Sequence, residues 1–213
     1  MSIDFHIAQS AKIQGVFIIT PSIATDRRGN IYTSFLQEEI EKLLPNSAPQ
    51  KEPFSAPKVK ANLAKNAAHT NKLSFKHDKF SHSRQNVLRG IHGDTKTYKL
   101  VTCVYGEILQ VVVDMREGSP TYLQHEKFII NYQAPKLILI PPNMGNAYFV
   151  RSGEAIYHYK LAYTGEYFDA NEQFSLAYND TRLGIDWGLN GVTPILSNRD
   201  LEALNLHSKE QKC

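Results

Sequence analysis

A chain of 213 residues with 42% hydrophobic side chains is long enough for one domain built around a single sizeable core. Its formal charge of +3 arises in one segment: residues 45–73 carry Lys51, Lys58, Lys60, Lys65 and Lys72 against Glu52, leaving 19 basic and 20 acidic residues elsewhere. A near-neutral body without a basic, aromatic-studded module argues against nucleic acid as a partner, and no apolar run approaches the roughly 20 residues that cross a bilayer. The opening Met1-Ser2-Ile3-Asp4-Phe5 lacks the basic and apolar regions of a signal peptide, so a cytoplasmic location without membrane association is expected. Two cysteines, Cys103 within an apolar run and Cys213 at the end, suit reduced thiols rather than a disulfide framework.

In chain order, Gly15 to Thr20 reads as a strand after a short amphipathic opening, and Asp26-Arg27-Arg28-Gly29 as a turn into a strand over Asn30 to Thr33. Phe35, Leu36, Ile40, Leu43 and Leu44 recur at helical spacing until Pro45 ends the pattern. The Pro- and Ala-rich residues 45–73 have no sustained periodicity and read as a loop insertion within a single domain over 1–213. Seven β-type runs follow, at 86–92, 97–104, 107–114, 126–132, 136–140, 147–150 and 154–163, before helix returns after Ser197. Short strands without intervening helices predict an all-β sandwich or barrel, whose interior can hold one small ligand.

Polar residues on such strands need an explanation, because charge inside a barrel costs several kcal/mol unless it is paired or used. His92 ends one run, Lys99 begins the next, and Tyr159 sits mid-strand in Ile156-Tyr-His-Tyr-Lys160. Alternation puts Tyr157 and Tyr159 on one face and His158 and Lys160 on the other, so only one pair can face a cavity. Each has a plain structural reading as well: a strand-end histidine as a surface group, a strand-start lysine as solvated, a tyrosine as core. Ser197-Asn-Arg-Asp200 reads as a capping box opening the last helix, which leaves the Asp200 carboxylate free for a second task. Arg89 and His92 are three apart, so both can serve one pocket only if Gly90 permits a bulge between them. No metal site is expected, since the histidine pair His77 and His82 has the wrong spacing for a strand face and His92 has no histidine two residues on.

These residues, in this order, resemble the dTDP-4-dehydrorhamnose 3,5-epimerase family of cupins. The resemblance rests on Asp26-Arg-Arg-Gly29, Asn86-Val-Leu-Arg-Gly-Ile-His92, Lys99-Leu-Val, Gly106-Glu107, Val113-Asp114-Met-Arg116 with Ser119-Pro-Thr121, and Ile140-Pro141. It continues through Tyr159-Lys160, Asn179-Asp180 with Gly184-Ile-Asp-Trp187, and Leu196-Ser-Asn-Arg-Asp200. It implies a jelly-roll cupin barrel with short flanking helices, assembled as a homodimer and needing no cofactor. It further implies His92 as base, Asp200 as the group orienting it, Tyr159 as acid on the opposite face, and Lys99 beside the sugar carbonyl. Arg28 and Arg89 would hold the diphosphate or sugar, with Tyr32, Lys79, Gln110 and Asn146 as further substrate-binding positions.

Departures from the family pattern are as informative. Gly145-Asn146-Ala147-Tyr148 stands where Ala-His-Gly-Phe is usual, Gln110 replaces an aspartate, and His77-Asp78-Lys79-Phe80 occupies the positions that normally meet the thymine ring. His92-Gly-Asp94, Lys96-Thr-Tyr-Lys99 and Pro141-Pro-Asn-Met-Gly-Asn146 resemble a capsular-heptose branch, which implies a GDP-linked 4-keto-6-deoxy-heptose in preference to a dTDP-linked sugar. Other readings of the same residues are a 3,4-ketoisomerase and a non-catalytic nucleotide-sugar-binding cupin.

Overall fold

The computed structural model describes residues 4–45 and 73–210, so all but the two ends of the insertion expected at 45–73 lie outside the described residues. Two antiparallel sheets face each other. The larger runs in the order β1 (Phe5–Gln9), β2 (Phe17–Pro21), β10 (Leu137–Ile140), β7 (Tyr98–Tyr105), β12 (Glu154–Tyr163) and β5 (Ser74–Arg84). The smaller runs β13 (Phe174–Ser175), β6 (Leu88–Gly93), β11 (Met144–Val150), β8 (Glu107–Asp114) and β9 (His125–Asn131). A separate hairpin pairs β3 (Ile23–Asp26) with β4 (Gly29–Tyr32). Among the described residues, helical structure is confined to α1 (Gln37–Ile40) with a 3-10 turn at Glu41–Leu43, a 3-10 turn at Ala170–Glu172, and α2 (Asn198–Glu210). This is the expected all-β jelly roll.

Strand alternation sorts side chains into layers. Between the sheets, Ile108 and Val112 of β8, Val101 and Cys103 of β7, Met144 and Tyr148 of β11, and Tyr157 of β12 share one core with Ile13 and Val16. The outer face of the smaller sheet presents Leu109, Val111, Val113 and Phe149, covered by Leu183 and Trp187 of the segment after β13. The outer face of the larger sheet presents Ile19, Leu100, Leu137 and Leu139, covered by Ile40 of α1. Because both faces of β8 and β11 are covered, these strands are buried along nearly their whole length.

Two expectations need correction. The helix expected from Phe35 to Leu44 is one short turn of α-helix and a 3-10 turn, with no side-chain cap at its start. Strands β1, β3, β5 and β13 are additions to the expected set. In β5 the stretch Ser-Phe-Lys-His-Asp-Lys-Phe-Ser-His-Ser-Arg has no apolar alternation, because its inward positions are polar and a register irregularity opposite Leu161 and Ala162 breaks its parity. The Cys103 thiol is buried and pushed up to about 11, which suits a core group rather than a nucleophile.

Candidate active site

A cavity of about 200 Å³ opens between the sheets, and both walls contribute polar groups. From the smaller sheet come Arg89 and His92 of β6 and Asn146 of β11; from the larger come Lys99, Tyr159, Lys79 and Ser81. The mouth is edged by Tyr167, Asp169 and Gln173 of the loop after β12, and by Arg199 and Asp200 at the start of α2.

Gly90 brings Arg89 and His92 to the same face. His92 pairs with Asn146 and Arg89 with Tyr148, so three residues of β6 oppose two steps of β11, with Gly90 at φ +120°. A Cβ at Gly90 would stand 2.5 Å from the Ala147 Cβ and 2.6 Å from the Asn146 carbonyl oxygen, so only glycine fits this bulge.

Asp200 holds the histidine. Its Oδ1 lies 2.6 Å from His92 Nε2, while Oδ2 accepts the Ser197 hydroxyl at 2.7 Å. The Asp200 backbone N–H in turn donates to Ser197 Oγ at 3.2 Å, so the capping contact and the histidine contact coexist in one residue. Burial alone would raise the Asp200 carboxyl, but the hydrogen bonds from His92 and Ser197 hold it below the ordinary carboxylate range. An ionised Asp200 requires Nε2 to carry a hydrogen, so in the neutral imidazole Nδ1 is the nitrogen that keeps its lone pair. Nδ1 has no hydrogen-bond partner among the described residues.

The opposite wall differs in kind. Tyr157 and Tyr159 face inward, their rings edge to face at 4.5 Å, while His158 and Lys160 point outward to Asp78. Burial pushes the Tyr159 phenol up, with Tyr148 adding to the shift and Arg89 opposing it, so Tyr159 is a protonated group at neutral pH. Lys99 is 7% exposed, and its Nζ stands 3.1 Å from Asp94 Oδ2. Burial lowers the affinity of Lys99 for its proton and Asp94 opposes that loss. Asp94 resists its own burial with help from Lys99 and the backbone N–H groups of Lys96 and Thr97, which donate to Oδ1 at 3.0 and 2.6 Å.

Of the ten residues singled out in the sequence, His92, Asp200, Tyr159, Lys99, Arg89, Asn146 and Lys79 converge on this cavity. Arg28, Tyr32 and Gln110 do not. Arg28 is exposed at the tip of the β3–β4 hairpin and tied to Asp26 at 2.5 Å, and Tyr32 lies on the same hairpin, which belongs to neither large sheet. Gln110 is fully buried one layer beneath the cavity wall, where its Nε2 donates to Asn146 Oδ1 at 2.7 Å, so it is no direct ligand-contacting group. Sequence reasoning missed Asp94 as the partner of Lys99, although an acid two residues after His92 and five before Lys99 was a readable signal. It also missed Ser81, on an unrecognised strand, Tyr167, Asp169 and Gln173, in irregular chain, and Arg199, in the first turn of the expected last helix. Among the described residues no group of three or more His, Cys, Asp or Glu is arranged to hold a metal ion.

The family model described as dTDP-4-dehydrorhamnose 3,5-epimerase matches residues 51–208. The chain belongs to the dTDP-4-dehydrorhamnose 3,5-epimerase family. It is similar to the dTDP-4-dehydrorhamnose 3,5-epimerase of Salmonella typhimurium, 28% identical over 194 residues that cover 90% of each chain. Among solved structures it resembles the dTDP-6-deoxy-D-glucose-3,5-epimerase of Legionella pneumophila in complex with dTDP-4-keto-L-rhamnose, with 31% identity, a TM-score of 0.74 and coverage of 95% and 94%. It also resembles a 4-keto-6-deoxy sugar epimerase from the novobiocin gene cluster of Streptomyces spheroides, with 27% identity, a TM-score of 0.73 and coverage of 98% and 90%. In this chain the Val113 to Thr121 segment has a structural use: buried Asp114 accepts hydrogen bonds from Arg116, Ser119 and Thr121, closing the turn after β8. No helix among the described residues is long and apolar enough to cross a membrane.

Proposed function

We propose that this chain epimerises a nucleoside-diphosphate-linked 4-keto-6-deoxy sugar at C3 and/or C5, without a cofactor. The observation that carries this reading is one cavity in which a carboxylate-held imidazole on one wall faces a protonated phenol on the other. Inversion beside a ketone needs a proton removed from one face and another returned to the opposite face. Nδ1 of His92 takes the proton and Asp200 supports the imidazolium. The electron pair moves onto the carbonyl oxygen, beside which Lys99 supplies positive charge. Tyr159 delivers its proton to the other face, and exchange with solvent restores both groups. Arg89, with Lys79 and Arg199 on the same cavity, offers the donors a diphosphate needs.

The finer reading is a GDP-linked 4-keto-6-deoxy-heptose, used in capsular or surface polysaccharide synthesis. It is supported by the segments 92–99 and 141–146 and by the neutral Gln110 and Asn146 at positions where the family usually has a charged or titratable group. A homodimer suits the placement of Arg28 and Tyr32, which would meet a ligand only across a subunit contact. A cytoplasmic location fits a nucleotide-sugar substrate.

The test is a panel of GDP- and dTDP-linked 4-keto sugars incubated in deuterated water and read by NMR. Deuterium should enter at the inverted carbon and the ketone should stay at C4. Exchange that persists in His92→Ala, or a carbonyl moved to C3, would refute the assignment, the latter in favour of a ketoisomerase. Tight binding without exchange would favour a non-catalytic binder.

A further inference from the structure

A buried side-chain amide fits its site in two orientations, and the neighbours decide between them. Beneath the cavity the deciding neighbour is the backbone carbonyl of Val111, which can only accept. The Gln110 atom 3.0 Å from it is therefore the nitrogen, Nε2. Oε1 then faces the Tyr157 hydroxyl at 2.6 Å, and that hydroxyl must donate. The second hydrogen of Nε2 points at Asn146, 2.7 Å away, so the Asn146 atom meeting it is the acceptor Oδ1. The Tyr157 oxygen lies 3.3 Å from the same Oδ1. This leaves Asn146 Nδ2 on the remaining side, with no hydrogen-bond partner among the described residues, on a residue that lines the cavity and pairs in register with His92.

We propose that the Val111 carbonyl, Gln110 and Tyr157 form an orienting chain that locks Asn146 with its Nδ2 hydrogens toward the cavity, as a neutral donor for a sugar oxygen beside the carbon that His92 deprotonates. Asn146 touches substrate; Gln110 and Tyr157 are positioning residues. The use of this donor rests on the epimerase reading, whereas its orientation does not. Gln110 and Tyr157 are both 0% exposed, and burial holds the Tyr157 phenol well above its ordinary range, so no member of the chain changes charge at neutral pH. A histidine in place of Asn146 would donate or accept according to pH; the amide donates throughout.

Two nearly isosteric substitutions test the use of the donor. Asn146→Asp turns it into an acceptor, and Gln110→Glu removes the hydrogens that hold Asn146 in place. In deuterium-exchange assays with a turned-over 4-keto-6-deoxy nucleotide sugar, kcat should fall on the order of 10²-fold in Asn146→Asp, the scale of a lost transition-state donor, and roughly tenfold in Gln110→Glu. The Kd for the nucleoside diphosphate alone should stay within about twofold of wild type in both, because an uncharged sugar contact adds nothing to it. An Asn146→Asp enzyme within threefold of the wild-type kcat overturns the proposal. So does a nucleoside diphosphate Kd that rises in step with the lost turnover, which would place the contact on the phosphates. Neutron diffraction of the deuterated, unliganded protein tests the orientation without any turnover. Deuterium on the cavity-facing atom of Asn146 supports the chain, and a bare oxygen there overturns it. Should the wild type exchange no proton in any such sugar, the epimerase reading falls while the neutron result still decides the orientation.

Discussion

The interior of the barrel and the outer face of β5 and β12 carry the same chemical pairs at nearly the same distances. Inside, His92 meets Asp200 at 2.6 Å and Lys99 meets Asp94 at 3.1 Å. Outside, His158 and Lys160 each meet Asp78 at 2.7 Å. Solvent makes the difference: the Asp200 and Asp94 side chains are 4% and 0% exposed, whereas Asp78 is 47% exposed. Water screens the outer set and can replace any partner that is removed, while an inner group left alone keeps an uncompensated charge. Separation by itself does not mark a working pair. Burial and convergence on one cavity do.

The sharpest way to break this comparison is to substitute each set in turn. His92→Ala should lower solvent exchange into substrate by about 10³-fold or more, within the range of a lost general base, as read by NMR in deuterated water. Tyr159→Phe should stop inversion by about 10²-fold or more while exchange at the same carbon continues, because abstraction survives the loss of the opposite proton donor. Comparing the rates of deuterium entry and product formation checks this.

Asp94→Asn should act through pH. Burial lowers the Lys99 proton affinity and Asp94 opposes it, so without the carboxylate the ammonium loses its proton at lower pH. His92 and Arg199, which line the same cavity, add no negative charge to replace it, Asp200 is committed to His92, and Asp169 stands at the mouth, with no contact to Lys99 among the described residues. The basic limb of the kcat profile should therefore move to lower pH, leaving turnover less impaired at pH 6 than at pH 8.

The smallest effect belongs to the outer set. Asp78→Asn should leave turnover within twofold and cost no more than about 1 kcal/mol in denaturant unfolding, given its exposure. Burial raises the Asp78 carboxyl and its bonds to Lys160 and His158 lower it by more, so its contribution is present above the ordinary carboxylate range and fades as pH falls through the folded value. The gap between wild type and variant should close in acid.

Much of this site could be read from the sequence, for reasons that differ by residue. His92, Lys99 and Tyr159 are conspicuous because each is a polar group on a strand whose alternation can turn it inward, and Asp200 because a cap already explains half of it. The bulge at Gly90 follows from requiring Arg89 and His92 to share a face. What periodicity cannot show is depth. Gln110 lies on the inward side of β8 as alternation requires, yet it stops one layer short of the cavity because Asn146 stands in front of it. Nor can local pattern reveal β5, whose inward Lys79 and Ser81 line a polar cavity and so carry no apolar signal. Tyr167, Asp169 and Gln173 reach the mouth from irregular chain, where no spacing rule applies.

Asp200 opens α2 and steadies the His92 imidazole with the same carboxylate. Docking of this helix and fixing of the His92 ring are consequently a single event. A substitution that loosens residues 197–203 from the sheets therefore also frees the ring of His92, although it lies more than a hundred positions earlier in the chain.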